Sequence, residues 1–265
     1  MPSTTQHNAL FRYRRLSDAE LQQFEEEGFL RYGPILTDAG LEHMRAECMD
    51  AWIHEKGPYD PNGSWLTNSL LTNIHHHSRT VRDYYFEGPL VDVATQVIGP
   101  NIKAATSQLT FKMRGNTMDF AWHQDNSYGE LEPYNAISCL TALDDADESN
   151  GCLWLIPGSH RDGQIELTGT NTTKNRGYQD AIKLEVDDRH AIPVPMKAGE
   201  SLFFTCWMLH KSEGNRSTTH DRRLVFVRYA DADAVEVSNG HQPRLGRLLR
   251  GETRFPEVSA YEFDH

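Results

Sequence analysis

Ser201-Leu202-Phe203-Phe204-Thr205 is a short apolar run of the kind that decides the fold of this chain. It has the length of a β-strand, and similar runs recur through the second half of the sequence with turn-forming residues between them. The others span Ala104–Met113, Ala136–Leu143, Cys152–Ile156, Ile192–Pro195 and Arg223–Tyr229. Many short strands spaced in this way are typical of an antiparallel sandwich or a small barrel.

The first hundred residues carry helical patterns instead. Ser17 and Glu20 have the spacing of a capping box, so a helix is predicted to begin there and to end at Gly28. A short strand at 29–32, a second helix from Thr37 or Asp38, a loop over 56–80 and a third helix over 79–98 are predicted to follow. We therefore expect a mostly β chain whose N-terminal helices form a layer on a β-barrel.

The length and composition agree with one folded unit. The 265 residues are 38% hydrophobic and 24% charged, which is ordinary for a globular protein. We expect a single domain over 1–265, with a helical part at about 1–100, a β-barrel catalytic core at about 101–235 and a tail at 236–265. The polar loop at 161–190 has the length of a lid or a binding loop.

The charge and the cysteines restrict the partners and the compartment. A net charge of -12 argues against nucleic acid or an anionic membrane as the partner, because both are recognised by basic patches. No apolar run approaches the ~18 residues of a membrane span. Four cysteines without a CxxC pair predict free, reduced thiols, and hence a cytoplasmic protein. A small-molecule partner is expected, and the sequence leaves the oligomeric state open.

A candidate metal site comes from two separated stretches. His123 and Asp125 flank Gln124, and His210 ends the apolar run that begins at Leu202. On a strand, residues two apart point to one side, so His123 and Asp125 could reach one ion while Gln124 points away. Two imidazoles and one carboxylate on one face of a metal are the ligands of non-haem iron(II) sites. An H-x-D tripeptide also arises by chance, so its meaning depends on its surroundings.

A pair of arginines supplies part of those surroundings. Arg222 and Arg223 follow His210 and open an apolar strand. A guanidinium at the base of a cavity is suited to holding a carboxylate through two charge-assisted hydrogen bonds. The other interpretation is a surface pair at the start of a strand, and the sequence does not decide which arginine would face inward.

Taken together, these motifs resemble the phytanoyl-CoA dioxygenase family over roughly residues 100–230. The resemblance rests on His123-Gln124-Asp125, Asn150-Gly151-Cys152-Leu153, Ile156-Pro157-Gly158-Ser159-His160, His210-x-Ser212-x-x-Asn215 and Arg222-Arg223. It implies a double-stranded β-helix, a jelly-roll and cupin-like barrel. It also implies an iron(II)- and 2-oxoglutarate-dependent dioxygenase that uses O2.

Carried over residue by residue, the resemblance assigns the site. His123, Asp125 and His210 would hold the iron. Arg222 would bind the distal carboxylate of 2-oxoglutarate, with Ser212 and Gln108 as further cosubstrate contacts.

The resemblance also indicates the chemistry. Asp125 is present where halogenating relatives have a small residue, which favours hydroxylation of an unactivated C–H, with desaturation or cyclisation as other outcomes, and release of succinate and CO2. The substrate would be a small organic molecule such as a secondary metabolite.

Two other functions stay open. One is a non-catalytic barrel that binds a metabolite, and the other is a cupin-like zinc or manganese hydrolase or isomerase. A non-catalytic barrel would be expected to have lost a ligand or the arginine, and the hydrolase or isomerase has no evident need for Arg222 or Ser212.

Several other signals receive structural interpretations. His75-His76-His77 is expected to be a polar loop that borders the pocket, because adjacent residues on one strand cannot converge on one ion. Trp122, Asn126 and Tyr128 flank the metal motif and could touch substrate, although Trp122 could equally be core. The acidic stretch 144–148 is expected to be a solvated loop.

Overall fold

A computed structural model describes residues 9–67, 69–125, 131–165 and 186–262 of the chain. Two of the flanking residues considered above, Asn126 and Tyr128, and most of the loop at 161–190 lie outside these ranges.

The first two helices begin and end as their caps predict. Helix α1 spans Asp18–Glu27 behind the Ser17–Glu20 capping box, and Gly28 ends it with a left-handed φ of 78°. A Cβ at position 28 would lie 2.2 Å from Nδ1 of His160, so this turn needs glycine for space as well as for conformation. Helix α2 spans Asp38–Lys56 with Thr37 as its N-cap, and it buries Met44, Cys48 and Trp52.

The prediction of one helix over 79–98 was wrong. Two helices occupy this stretch, α4 at Arg79–Glu87 and α5 at Pro89–Val97, and Gly88 separates them. Proline suits the first turn of a helix. In a helix interior it lacks the N–H for the i→i−4 hydrogen bond and its ring clashes with the preceding turn, so Pro89 starts a new helix.

The prediction of a loop over 56–80 was also incomplete. This stretch contains a short helix α3 at Ser64–Thr67, strand β2 at Leu70–Thr72 and a 3-10 helix at Ile74–His76. A strand of three residues is too short to show a period, and β2 exists because it pairs with a longer strand (β3, below).

The described strands form three antiparallel sheets. In chain order they are β1 Phe29–Pro34, β2, β3 Ile102–Lys112, β4 Phe120–His123, β5 Leu131–Glu132, β6 Ala136–Ala142, β7 Leu153–Leu155, β8 Ile192–Val194, β9 Glu200–Thr205, β10 His210–Ser212, β11 Arg222–Asp231, β12 Val235–Glu236, β13 Gln242–Pro243 and β14 Leu248–Arg250. The main sheet has the order β1-β9-β6-β11-β3-β14, with β2 also paired to β3. The second sheet has the order β4-β10-β7-β8, and β13-β12-β5 form the third. A last helix, α6, spans Pro256–Ala260.

Strand β11 shows how the layers are held together. Val225, Val227 and Tyr229 belong to the core that the main sheet shares with the helices. Leu224 and Phe226, on the opposite face, pack with residues of the second sheet. Because side chains alternate along a strand, one strand contributes to two separate cores.

These observations confirm a mostly β chain built from antiparallel sheets. In the described ranges the sheets are open, so the expected barrel is two facing sheets without a closed circle of hydrogen-bonded strands. The double-stranded β-helix and the single domain over 1–265 remain predictions. All four cysteines are free and buried, as predicted. Among the described helices, none has the length and apolar character needed to cross a membrane.

Candidate functional site

The two histidines of the predicted triad are cross-strand neighbours. His123 ends β4 and His210 begins β10, and the register of this strand pair places them opposite each other. Their ring centroids lie 4.1 Å apart. The Nδ1 of His123 bonds the carbonyl of Ala121 at 2.7 Å, and the Nδ1 of His210 bonds that of Met208 at 2.9 Å. Since a carbonyl can only accept, each Nδ1 carries the proton and each Nε2 presents a lone pair.

The carboxylate of Asp125 joins these two nitrogens. Its Oδ1 lies 3.7 Å from Nε2 of His123 and 3.5 Å from Nε2 of His210. Strand β4 ends at His123, so Asp125 lies beyond the strand. The prediction that strand alternation brings Asp125 to the ion was therefore wrong. The hydroxyl of Ser138, on β6, donates to Oδ2 instead and turns Oδ1 toward the imidazoles.

The charges of the triad suit a metal. Burial, and then the neighbouring His210, lower the pKa of His123 to about 4, so its ring is neutral near pH 7. Burial alone would raise the pKa of Asp125, but its interactions with His210, and then with His123, outweigh burial and hold that pKa below its usual value. The ligand atoms of all three residues lie within 4.8 Å of one another. Two imidazoles and an ionised carboxylate fit a non-haem iron(II) ion.

The triad opens into a cavity between the main and second sheets, with an empty volume of about 630 Å³. All six predicted site residues line it: His123, Asp125, His210, Ser212, Arg222 and Gln108. Much of the remaining wall is apolar, formed by Leu70, Phe120, Leu140, Leu153, Phe204, Leu224 and Phe226.

The two arginines of β11 have different environments. Arg222 is buried in the cavity wall, and its Nη2 lies 3.4 Å from Oγ of Ser212. Its Nε has no hydrogen-bond acceptor within the described residues, and burial lowers its pKa to about 10. Arg223 faces the other side and makes two hydrogen bonds to Asp144, at 2.7 and 2.6 Å. Arg222 is therefore the arginine that faces the cavity.

A buried lysine that the sequence analysis missed lies behind this pair. Lys112, at the end of β3, is the cross-strand partner of Arg222. Its Nζ donates to the carbonyl of Ser212 at 2.9 Å, to the hydroxyl of Ser212 at 2.9 Å and to the carbonyl of Glu213 at 2.6 Å. Burial, and then the charge of Arg222, lower the pKa of Lys112 to about 6.

Period-two alternation could have found part of the missed wall. Gln108 and Thr110 line the cavity from β3, opposite Phe226 and Leu224 of β11. If Gln108 faces the cavity, Thr110 must face it too, because side chains two apart on a strand point to the same side. No comparable signal marks Ser138, because its role depends on the approach of Asp125 from a distant segment of the sequence.

Gln124 points away from the cavity, as predicted. It is buried, and its amide donates to the carbonyls of Gly163 and Trp207 at 2.8 and 2.7 Å. Trp122 is also buried, with its ring below Nζ of Lys211 at 5.3 Å, and it does not line the cavity.

One of the structural interpretations was wrong, and another holds in part. None of His75, His76 and His77 lines the cavity, because the 3-10 helix carries them to the face of β3 that the helices cover. The stretch 144–148 is a loop in which Asp145, Asp147 and Glu148 are exposed, as expected. It is also anchored at two points, because Asp144 holds Arg223 and Ala146 forms a bridge to Met196.

Comparison with known proteins agrees with this geometry. The sequence profile of phytanoyl-CoA dioxygenase (PhyH) matches residues 24–224. A methylphosphonate hydroxylase of Gimesia maris is 27% identical over 220 residues, which cover 81% of the chain and 80% of that protein. The peroxisomal phytanoyl-CoA dioxygenase of Bos taurus is 26% identical, with 96% of the chain and 83% of that protein covered.

Solved structures show a similar fold. The non-haem alpha-ketoglutarate-dependent carbocyclase SnoK of nogalamycin biosynthesis superposes with a TM-score of 0.69 at 23% identity, over 90% of this chain and 95% of that one. Because the profile match covers most of the sequence and includes His123, Asp125, His210 and Arg222, the chain belongs to the phytanoyl-CoA dioxygenase family.

Proposed function

We propose that the chain is an iron(II)- and 2-oxoglutarate-dependent dioxygenase that hydroxylates, or otherwise oxidises, an unactivated C–H of a small organic substrate. The buried guanidinium of Arg222 carries this proposal, because it faces the cavity with Nε unsatisfied within the described residues. A buried cation is costly unless an anion meets it. Arg222 and the His123–Asp125–His210 triad line the same cavity, which supports a ligand that binds the metal through one carboxylate and the arginine through another.

In this proposal His123, Asp125 and His210 hold the iron, and their three ligand atoms leave other positions open. When bound, iron(II) and 2-oxoglutarate supply the oxidation, in which O2 is consumed, the cosubstrate leaves as succinate and CO2, and a C–H bond of the substrate is oxidised. No protein side chain in the cavity has to carry this step.

The residues of the chain position the reactants and exclude water. Arg222 and Ser212 bind the distal carboxylate of 2-oxoglutarate, and Gln108 contacts the cosubstrate from β3. Lys112 holds Ser212 through its hydroxyl and carbonyl, so the anion site is already formed before the cosubstrate arrives. The apolar wall that includes Leu140, Phe204 and Phe226 keeps water from the reacting C–H bond.

The relatives support the chemistry but do not identify the substrate. One acts on methylphosphonate and another on phytanoyl-CoA according to their names, and these molecules differ in charge and size. The two other functions, a metabolite-binding barrel and a zinc or manganese hydrolase or isomerase, give no reason for a buried Arg222 beside the triad.

The proposal is tested without knowledge of the substrate. Iron(II) and then 2-oxoglutarate are added to the apoprotein without oxygen, and the visible charge-transfer absorption of the chelate is recorded. We expect the band with 2-oxoglutarate and none with succinate, which lacks the keto group. A folded, iron-loaded sample that binds 2-oxoglutarate without this band would contradict the proposal.

A further inference from the structure

A second group of potential metal ligands lies on the face of β3 that points away from the cavity. Gln108 faces the cavity, whereas its neighbour Ser107 faces the helices and bonds Nδ1 of His75 at 2.6 Å. His75 and His76 belong to the 3-10 helix Ile74–His76, and Glu262 follows helix α6.

The imidazoles of His75 and His76 converge on one carboxylate oxygen of Glu262. Oε1 of Glu262 lies 3.5 Å from Nε2 of His75 and 2.8 Å from Nε2 of His76. Their ligand atoms all fall within 4.8 Å of one another, as those of the cavity triad do. The two imidazole rings are edge to face, with centroids 4.2 Å apart, so both can present Nε2 to the same point.

His75 is held in a ligand orientation before any ion arrives. The hydroxyl of Ser107 lies within hydrogen-bond distance of both Nδ1 and the backbone N–H of His75, at 2.6 and 3.3 Å. The ring of His75 also packs against Tyr85 and Phe86, each at 5.4 Å between centroids. An imidazole whose Nδ1 is bonded and whose ring is packed presents Nε2 in a fixed direction, which is the usual arrangement of a metal-bound histidine.

The third ligand comes from a distant part of the sequence. Glu262 is 186 positions from His76, and its backbone has a positive φ of 51°, which is uncommon for a residue other than glycine. That turn directs the carboxylate back toward the 3-10 helix, where its side chain is only 13% exposed.

We propose that His75, His76 and Glu262 form a second metal site, for a divalent transition ion such as Zn²⁺, that fastens the segment 256–262 to the back of β3. Two imidazoles and a carboxylate suit this ion, and a water completes a tetrahedron. Ligands at about 2.0–2.2 Å from zinc lie about 3.3 Å apart in a tetrahedron. The separation of 3.5 Å between His75 and Glu262 already fits, and the hydrogen bond of 2.8 Å between His76 and Glu262 opens slightly when the ion replaces its proton.

An exposed trio nearby provides an internal comparison. His54, Glu55 and His77 also bring three ligand atoms together, but all three residues are exposed. In this trio Glu55 is the partner of both rings, at 3.0 Å from His54 and 3.8 Å from His77. This trio has no buried imidazole fixed by a hydrogen bond, so binding an ion costs the conformational entropy of three exposed side chains. We therefore expect zinc to bind more tightly at the trio that includes His75.

The experiment counts zinc per full-length chain by elemental analysis after equilibrium dialysis against micromolar Zn²⁺. We expect two ions in the wild type, one at the cavity triad and one at the second site, and one in His76→Ala or Glu262→Gln. His76 is largely exposed, so its loss leaves the fold intact, and circular dichroism checks this. The controls Glu257→Gln, on the same segment, and His54→Ala, in the exposed trio, should both keep two ions.

A second measurement separates this site from the cavity. In a His123→Ala/His210→Ala background, Zn²⁺ should still raise the melting temperature and slow proteolysis after helix α6, and adding His76→Ala should remove both effects. A wild type that binds only the ion lost with the cavity histidines would overturn the proposal. Loss of the second ion in His54→Ala would also overturn it, because the exposed trio would then be the binding site.

Discussion

Lys112 and Arg222 are direct cross-strand partners, and both side chains are buried. Nζ of Lys112 has three acceptors within the chain, whereas Nε of Arg222 lacks an acceptor in the described ranges. The lysine therefore organises the anion site, and the arginine is the group that remains for a ligand. This division of roles leads to distinct effects when each is replaced.

Arg222→Met should weaken cosubstrate binding. Loss of two charge-assisted hydrogen bonds is expected to raise KM for 2-oxoglutarate by on the order of 100-fold. The measurement is succinate formation as a function of 2-oxoglutarate concentration. The matched control is Arg223→Met on the other face of β11, which should leave this KM nearly unchanged. The reverse result would assign the carboxylate to Arg223.

Asp144→Ala should affect stability rather than cosubstrate binding. Asp144 accepts two hydrogen bonds from the Arg223 side chain, and removing it leaves a partly buried guanidinium without its partner. We expect the free energy of unfolding, measured by urea denaturation, to fall by about 2 kcal/mol. Since Arg222 is untouched, KM for 2-oxoglutarate should stay within about twofold of the wild type. A large change in KM would show that Asp144 acts on the cavity.

Ser138→Ala should weaken metal binding without removing a ligand. Its hydroxyl holds Oδ2 of Asp125, and such supporting hydrogen bonds are worth about 10- to 100-fold in metal affinity. Iron(II) titrated anaerobically in the presence of 2-oxoglutarate gives that affinity from the charge-transfer band. Asp125→Ala, which removes the ligand itself, should abolish the band and succinate formation. Equal affinity in Ser138→Ala and the wild type would show that Asp125 needs no such support.

Lys112→Met should change how stability depends on pH. Burial lowers the pKa of Lys112 from 10.5 to about 6, so between these values the unfolded chain binds the proton and the folded chain does not. Stability therefore rises with pH through this window, by up to about 1.4 kcal/mol per pH unit for one proton, and the contribution is lost as the pH falls through about 6. The free energy of unfolding, measured by urea denaturation near pH 6 and near pH 10, should rise less with pH in the variant than in the wild type. An identical rise would mean that Lys112 stays charged when buried.

The parts of the structure that follow from local patterns were predictable from the sequence. The Ser17–Glu20 box and Gly28 fixed the first helix, because each cap acts within one turn. The longer strands β3, β6 and β11 were recognisable because their runs are long enough to stand out between turn-forming residues. The break at Gly88 was missed, since the helical pattern of the apolar residues continues across it.

The candidate site was predictable only where its residues carry recognisable motifs. His123, Asp125 and His210 came from ligand chemistry and from the family resemblance. Contacts between distant segments leave no such trace, which is why Ser138 was missed. The same holds for the meeting of His76 with Glu262, a contact across 186 positions that only the packing of α6 and the 3-10 helix creates.

The alternation along β11 has an evolutionary meaning. Changing Leu224 or Phe226 reshapes the cavity wall, whereas Val225 and Val227 pack in the core that the main sheet shares with the helices. Substrate preference and thermal stability can therefore drift independently at adjacent positions of one strand. A lineage can acquire a new substrate by altering every second residue while the layer beneath stays unchanged, and a combinatorial library restricted to the cavity-facing positions should retain a high fraction of folded proteins.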